Sequence, residues 1–424
     1  MVSCTPLTFL LTGFIWLVFS SLLGIAMLLG LVYGTPLPAW LRVVHVHGVL
    51  LGGLLQLIIG GLLAFMSPVS DHAGNVSRPL LFVTFNAATI GLLICMGFGL
   101  YQVAGVIGLV LTAAVASIAK PAWNHAQAHL AGHGIPTWVG GASIGALLAG
   151  LLIGAGVSFH LLPEYYAHMR LLHLHLIVLG FLAMTGTALT QYFLPIVLRR
   201  TIANLIVARI TTGLLLIGFA ALLGSFLSSS LRLELALGSL LVVGVCLYAA
   251  NLLRTWLTAG SPGDASSDHL LIATVFFVFL MVAGVLMAAN FLPDPPMFPM
   301  GSLHLIAYTH LAFLGFMVNI VLGALSYSLP VFLAESRVTN SSIRNAYRDQ
   351  LVAVMNRWRT VQLIGVSLGT MGLAVIASLT WIVPLNSLSI RLSTWLTIGL
   401  LIAGLTVFSA KLAWITGLQP AERS

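Results

Sequence analysis

Three short runs carry the residues best suited to chemistry. They read His45-Val46-His47-Gly48-Val49-Leu50-Leu51-Gly52, His173-Leu174-His175-Leu176-Ile177-Val178-Leu179-Gly180 and Tyr308-Thr309-His310-Leu311-Ala312-Phe313-Leu314-Gly315. In each, a histidine (His47, His175, His310) is followed by Leu at +4, Gly at +5 and Pro at +20 or +21 (Pro68, Pro195, Pro330). All three runs lie in apolar stretches, where an imidazole is costly unless something satisfies it. Neutral imidazole is a metal ligand, and histidines on facing helices are a common way to hold heme iron. The alternative is a helix–helix hydrogen bond. Three histidines at matched positions and matched depth favour the metal.

A porphyrin needs a flat apolar slot, and Gly52, Gly53, Gly180 and Gly315 are expected to help open one. It also needs cations for its propionates. Arg42 and Arg170 stand five residues before His47 and His175, which is about 7.5 Å along a helix. Arg391 opens the last apolar segment on the same side. Each is equally readable as a snorkelling anchor at the interface.

The elements that must position these residues follow from composition. The chain has 424 residues, 59% hydrophobic and 6% charged, whereas soluble chains are about 25% charged. This predicts an all-α integral membrane protein, because lipid leaves backbone groups no partner outside helices or closed barrels. Twelve apolar segments can be read, at roughly 8–34, 40–66, 79–100, 103–119, 138–158, 169–195, 202–228, 231–256, 269–290, 304–333, 359–382 and 391–417. The first is long enough to span and lacks a cationic start, so it reads as a span and not as a signal peptide.

With a cytoplasmic N-terminus, thirteen Lys and Arg fall inside. Only Arg42, Arg170, Arg232 and Arg391 fall outside. That is a positive-inside bias with both termini cytoplasmic, and it accounts for the net charge of +8 without nucleic acid. The marked segments are four apart. The chain therefore reads as one transmembrane domain, 1–424, of three pseudo-repeated four-helix units at about 1–119, 136–257 and 268–418. Cys4, Cys95 and Cys246 are scattered and offer no disulfide framework or paired-cysteine metal site.

At this point the sequence resembles the catalytic subunit of heme-copper oxidases, closest to the b-type-heme oxidases and the related nitric oxide reductases. The resemblance rests on twelve helices, cytoplasmic termini, three pseudo-repeats and histidines on the second, sixth and tenth helices. It also rests on the runs ending Tyr192-Phe193-Leu194-Pro195 and Pro330. It covers almost the whole chain in topology and three helices in motif. It implies a low-spin b-type heme held by His47 and His310. It implies that His175 stands at a copper-ligand position and that Tyr308 replaces the proximal histidine of the high-spin heme. The family's adjacent copper histidines on the seventh helix are missing, since residues 202–228 contain no histidine.

Two further features lie beyond that pattern. His45 and His173 precede His47 and His175 by two residues, about 200° around a helix; either they face one another across a slot for a second heme or a copper ion, or they are hydrogen-bonded helix-contact histidines. His304 and Tyr308 are one turn apart and could line an altered second site. Otherwise they are hydrogen-bonded contact residues. His125, His129 and His133 share a helical face but read better as a solvated loop, as do His160 and His168 in an outer loop. His72 and His269 read as structural or solvated. No Asp or Glu lies mid-membrane, which argues against proton pumping. The stretch Glu335–Arg359, with five arginines, reads as an inner surface in contact with anionic lipid.

The expected function is electron transfer through a membrane-embedded b-type heme, as a subunit of a respiratory complex in a bacterial inner membrane with the heme side periplasmic. Other membrane or periplasmic redox subunits are the expected partners, a cytochrome c among the candidates. Two alternatives stay open. One is an oxygen or nitric oxide reductase built on His175, His173, Tyr308 and His304. The other is a membrane heme or copper carrier or sensor.

Overall fold

The computed structural model describes residues 5–66, 77–129 and 134–420. Pro68, His72 and His133 lie outside them. Among the described residues there is no strand, and twelve helices are long and apolar enough to cross a membrane. They are α1 (Pro6–Tyr33), α2 (Trp40–Met66), α3 (Arg78–Gly97), α4 (Tyr101–His129), α5 (Gly134–Ser158), α6 (Pro163–Leu198), α7 (Leu205–Phe226), α8 (Leu231–Thr258), α9 (Ala265–Asn290), α10 (Ser302–Arg337), α12 (Arg359–Leu379) and α13 (Leu388–Gly417). A further helix, α11 (Ser341–Asn356), is amphipathic. The protein is an all-α integral membrane protein whose twelve spans match the twelve apolar segments one for one.

The boundaries have local causes. Asn204 starts α7 by accepting from the N–H groups of Ile206 and Val207 (3.0 and 3.1 Å). Asp264 starts α9 in the same way through Ser266 and Ser267 (2.9 and 3.0 Å). Each cap satisfies backbone donors that the first turn leaves open. Three prolines lie inside helices: Pro121 in α4, Pro195 in α6 and Pro330 in α10. Each falls in the C-terminal part of its helix, and spans in lipid tolerate such prolines because neighbouring groups re-satisfy the freed carbonyl.

Helix α11 falls within a stretch expected to be only a charged surface. Asn340 caps it (3.0 and 3.4 Å to Ser342 and Ile343). Tyr347, Leu351 and Met355, spaced by four, form its buried stripe.

By its contacts the chain divides into two compact units, Met1–Phe181 and Leu182–Ser424. In the first, α1 and α2 approach so closely that a Cβ at Gly13 would stand 3.0 Å from Leu57 N and 3.1 Å from Gly53 O. In the second, a Cβ at Gly365 of α12 would stand 2.6 Å from Leu400 O of α13. Without water to drive association, helices in lipid gain from such close backbone packing. In the second unit Arg337 also donates to Tyr347 Oη, Leu418 O and Thr416 O (2.7, 2.7 and 2.9 Å), tying α10 to α11 and to the end of α13.

Candidate metal centre

Helices α2, α6 and α10 share a feature that sequence patterning did not foresee. Directly after His47, His175 and His310 the backbone leaves α-helical hydrogen bonding. It runs as π-helix for eight residues, over Gly48–Leu55, Leu176–Ala183 and Leu311–Val318. It then returns to α. Such segments are uncommon and concentrate at functional sites. The Leu and Gly at +4 and +5 of the sequence motif fall inside these segments.

The three histidines at the heads of the segments are held alike. Nδ1 lies 2.9 Å from Val43 O for His47, 2.9 Å from Leu171 O for His175 and 2.7 Å from Ile306 O for His310. In every case the acceptor is the carbonyl one turn back. A carbonyl cannot donate, so the proton is on Nδ1 and the lone pair of the neutral ring is on Nε2. A ring fixed through Nδ1–H with Nε2 as donor atom is the usual preparation of a metal-binding histidine. All three are half-buried.

The residues two positions earlier are held differently. His45 Nδ1 donates to Ser20 O of α1 and His173 Nδ1 to Gly150 O of α5, both at 2.8 Å. Each ring lies against a glycine one turn further along that helix. A Cβ at Gly24 would stand 2.8 Å from His45 Cε1, and one at Gly154 2.8 Å from His173 Cε1. In α10 the residue is Tyr308, and a Cβ at Gly284 of α9 would stand 3.0 Å from its hydroxyl. His45 and His173 are thus hydrogen-bonded helix-contact histidines, the second of the two readings of this pair. Each turns to the helix preceding its own. Gly24, Gly154 and Gly284 are each 130 residues apart, a signal that was available in the sequence.

Three of the four glycines expected to line a porphyrin slot pack against side chains of a neighbouring helix. Gly52 packs on the Trp16 ring, where a Cβ would stand 2.5 Å from Cδ2. Gly53 packs on Leu17, and Gly315 on Phe276. They bring α2 onto α1 and α10 onto α9.

His304 is unlike the other histidines. Its Nδ1 accepts from the N–H of Gly301 (3.1 Å), and its ring stacks on Trp381 (4.9 Å, 21°). The neutral ring then carries its proton on Nε2, so in this arrangement neither nitrogen presents a lone pair. Tyr308, one turn on, meets α9 at Gly284 instead. Arg42 and Arg170 are exposed and Arg391 is half-buried, as either a propionate partner or an interfacial anchor requires. His125 packs on the edge of Phe65 (4.7 Å), and His160 is exposed.

The largest departure concerns charges assigned to the inner surface. Lys411 is 1% exposed, and its ammonium donates to Met355 O (2.8 Å) and Gln362 Oε1 (2.7 Å). Arg359 pairs with Asp268 (3.7 Å), and Arg357 lies over the rings of Trp358 and Trp414. Protein groups, not lipid headgroups alone, engage this set. His269 is structural, as expected, but belongs to a buried polar chain reaching Lys411.

Among the described residues no three His, Cys, Asp or Glu side chains converge on a point able to hold a metal ion. A porphyrin supplies the equatorial ligands of its iron, so axial histidines need no such group. No protein-family model matches this chain, and no curated protein sequence matches it.

Proposed function

We propose that the chain is a b-type heme protein of the membrane that transfers electrons as a subunit of a respiratory complex. His47 and His310 would be the axial ligands. The observation that carries this reading is the shared preparation of the matched histidines at the heads of π segments, where the Nδ1–H bond to the carbonyl one turn back puts the lone pair of the neutral ring on Nε2. That donor set fits ferrous and ferric iron. The pairing of His47 with His310 comes from the resemblance to heme-copper oxidase subunit I. The cytoplasmic termini rest on the Lys and Arg bias and the three four-helix repeats on the spacing of the histidine motifs; the common α–π–α course of α2, α6 and α10 and the evenly spaced glycines support the repeats.

A bound b-type heme would supply a one-electron iron couple. The chain's own residues would fix the axial rings, exclude water with apolar side chains and offer Arg42, Arg170 and Arg391 to the propionates. Ligation by two histidines leaves no open position for gas. The electron then comes from and goes to other redox proteins, a periplasmic cytochrome c being one fitting partner.

The test is an optical spectrum of the purified protein, oxidised and reduced, with and without carbon monoxide, together with iron and heme stoichiometry. Low-spin b-type bands unmoved by carbon monoxide, and lost in both His47→Ala and His310→Ala, are expected. A band that shifts with carbon monoxide replaces electron transfer with gas chemistry. A protein without porphyrin ends the heme reading.

A further inference from the structure

Four side chains from four helices of the second unit form an unbroken hydrogen-bonded chain in the interior. Lys411 of α13 donates to Gln362 Oε1 of α12 (2.7 Å). Gln362 Nε2 lies 2.7 Å from His269 Nε2 of α9. His269 Nδ1 lies 2.7 Å from Asn319 Oδ1 of α10. Asn319 Nδ2 donates to Gly315 O (2.8 Å) and to Leu314 O (3.3 Å), two carbonyls of the π segment headed by His310. His269, Asn319 and Gln362 are 0% exposed.

The chain has one direction, and both ends impose it. An ammonium only donates, so the Gln362 oxygen must face Lys411 and its NH2 must face His269. A carbonyl only accepts, so the Asn319 NH2 must face Gly315 and its oxygen must face His269. Both requirements meet on one imidazole and agree: His269 carries its proton on Nδ1 and its lone pair on Nε2.

The grip on the π segment is specific to α10. Nine residues after His47 stands Gln56, 0% exposed, whose amide atoms have no hydrogen-bond partner among the described residues. Nine residues after His175 stands Met184. The three π segments therefore differ in how they are held, and the other two serve as internal controls.

We propose that Lys411, Gln362, His269 and Asn319 act as one positioning relay that holds the π segment of α10, and with it His310, in a single arrangement tied to the protonation of His269. This goes beyond the heme reading and stands whether or not His310 binds iron.

The test uses the full chain in lipid nanodiscs, with two readouts: amide hydrogen exchange in the three π segments, and the 15N signals of the His269 ring, assigned by their loss in His269→Asn. In the wild type the ring should show N–H at Nδ1 and a lone pair at Nε2; the reverse overturns the proposal. Asn319→Leu removes the amide from the carbonyls and should speed exchange in 311–318 by about tenfold or more, leaving 48–55 and 176–183 unchanged. No change in 311–318, or equal acceleration of all three, overturns it.

Gln362→Glu preserves shape but turns the donor facing His269 into an acceptor, with Lys411 keeping the carboxylate ionised. His269 Nε2 must then acquire a proton. If Nδ1 keeps its own, the π segment stays held. If Nδ1 gives it up, Asn319 must turn and 311–318 must exchange faster. Both results support the relay. A ring that keeps its Nε2 lone pair beside Glu in that variant overturns it.

Discussion

The seat of His45 on Gly24 is open to a quantitative test. In Gly24→Ala the new methyl would stand 2.8 Å from Cε1 and 3.3 Å from Nε2 of the ring, whereas carbon atoms in contact prefer about 3.5–4.0 Å. The ring must retreat by about 0.7 Å or more. It cannot do so freely, because Nδ1 is tied to Ser20 O at 2.8 Å, one turn before Gly24 on the same helix. Losing that bond costs about 1 kcal/mol. The forced displacement in a packed interior adds about 1–3 kcal/mol. The expected loss of stability is therefore about 2–4 kcal/mol.

Reversible unfolding in mixed micelles reads this change. Gly61→Ala, on an open helix face with nothing within 4 Å, should be neutral or slightly stabilising. The decisive comparison is a double-mutant cycle with His45→Ala. Removing the ring should erase most of the penalty of Gly24→Ala. An equal penalty with and without the ring would show that the methyl clashes elsewhere and refute the seat. Gly154→Ala with His173→Ala should repeat the pattern.

Two further outcomes can be checked directly. Asp264→Ala leaves the N–H groups of Ser266 and Ser267 without their cap and should cost about 1–2 kcal/mol in the same unfolding assay. Arg337→Lys cannot reach Tyr347 Oη, Leu418 O and Thr416 O together, since an ammonium lacks the planar fork; the last turn of α13 should become cleavable by protease while the spans stay protected.

The spans were legible in the sequence because lipid imposes one rule on every one of them. Their ends were less so. The fourth apolar segment reads as ending near residue 119, yet α4 continues through Pro121 to His129, because polar residues past the apolar run can still extend a helix. The histidine motif located the candidate site, and its repetition pointed to metal. What it could not show was the turn of the rings. His45 and His47 differ by two residues but bond to different helices, and the neighbour that receives His45 is decided by a glycine 21 positions away. Lys411 misled for a related reason. Near a span end a lysine ordinarily marks topology, and only Gln362 and the Met355 carbonyl, supplied by other helices, allow it to be internal. The π segments left no signal that simple periodicity could read, because apolar runs rich in Leu and Gly are compatible with either helix.

The interior position of Lys411 bears on how the chain is made. A lysine is a burden on a helix entering the bilayer alone, by up to about 2.5–3.5 kcal/mol at mid-depth. Six residues from Gly417, the side chain can reach the aqueous boundary while α13 threads in. Its amine leaves water only once α12 and the end of α11 offer Gln362 and Met355 as acceptors. Burial of Lys411 therefore requires α12 and the end of α11 beside α13, because they supply its acceptors. A chain from which α12 is deleted would offer that cation only the Met355 carbonyl.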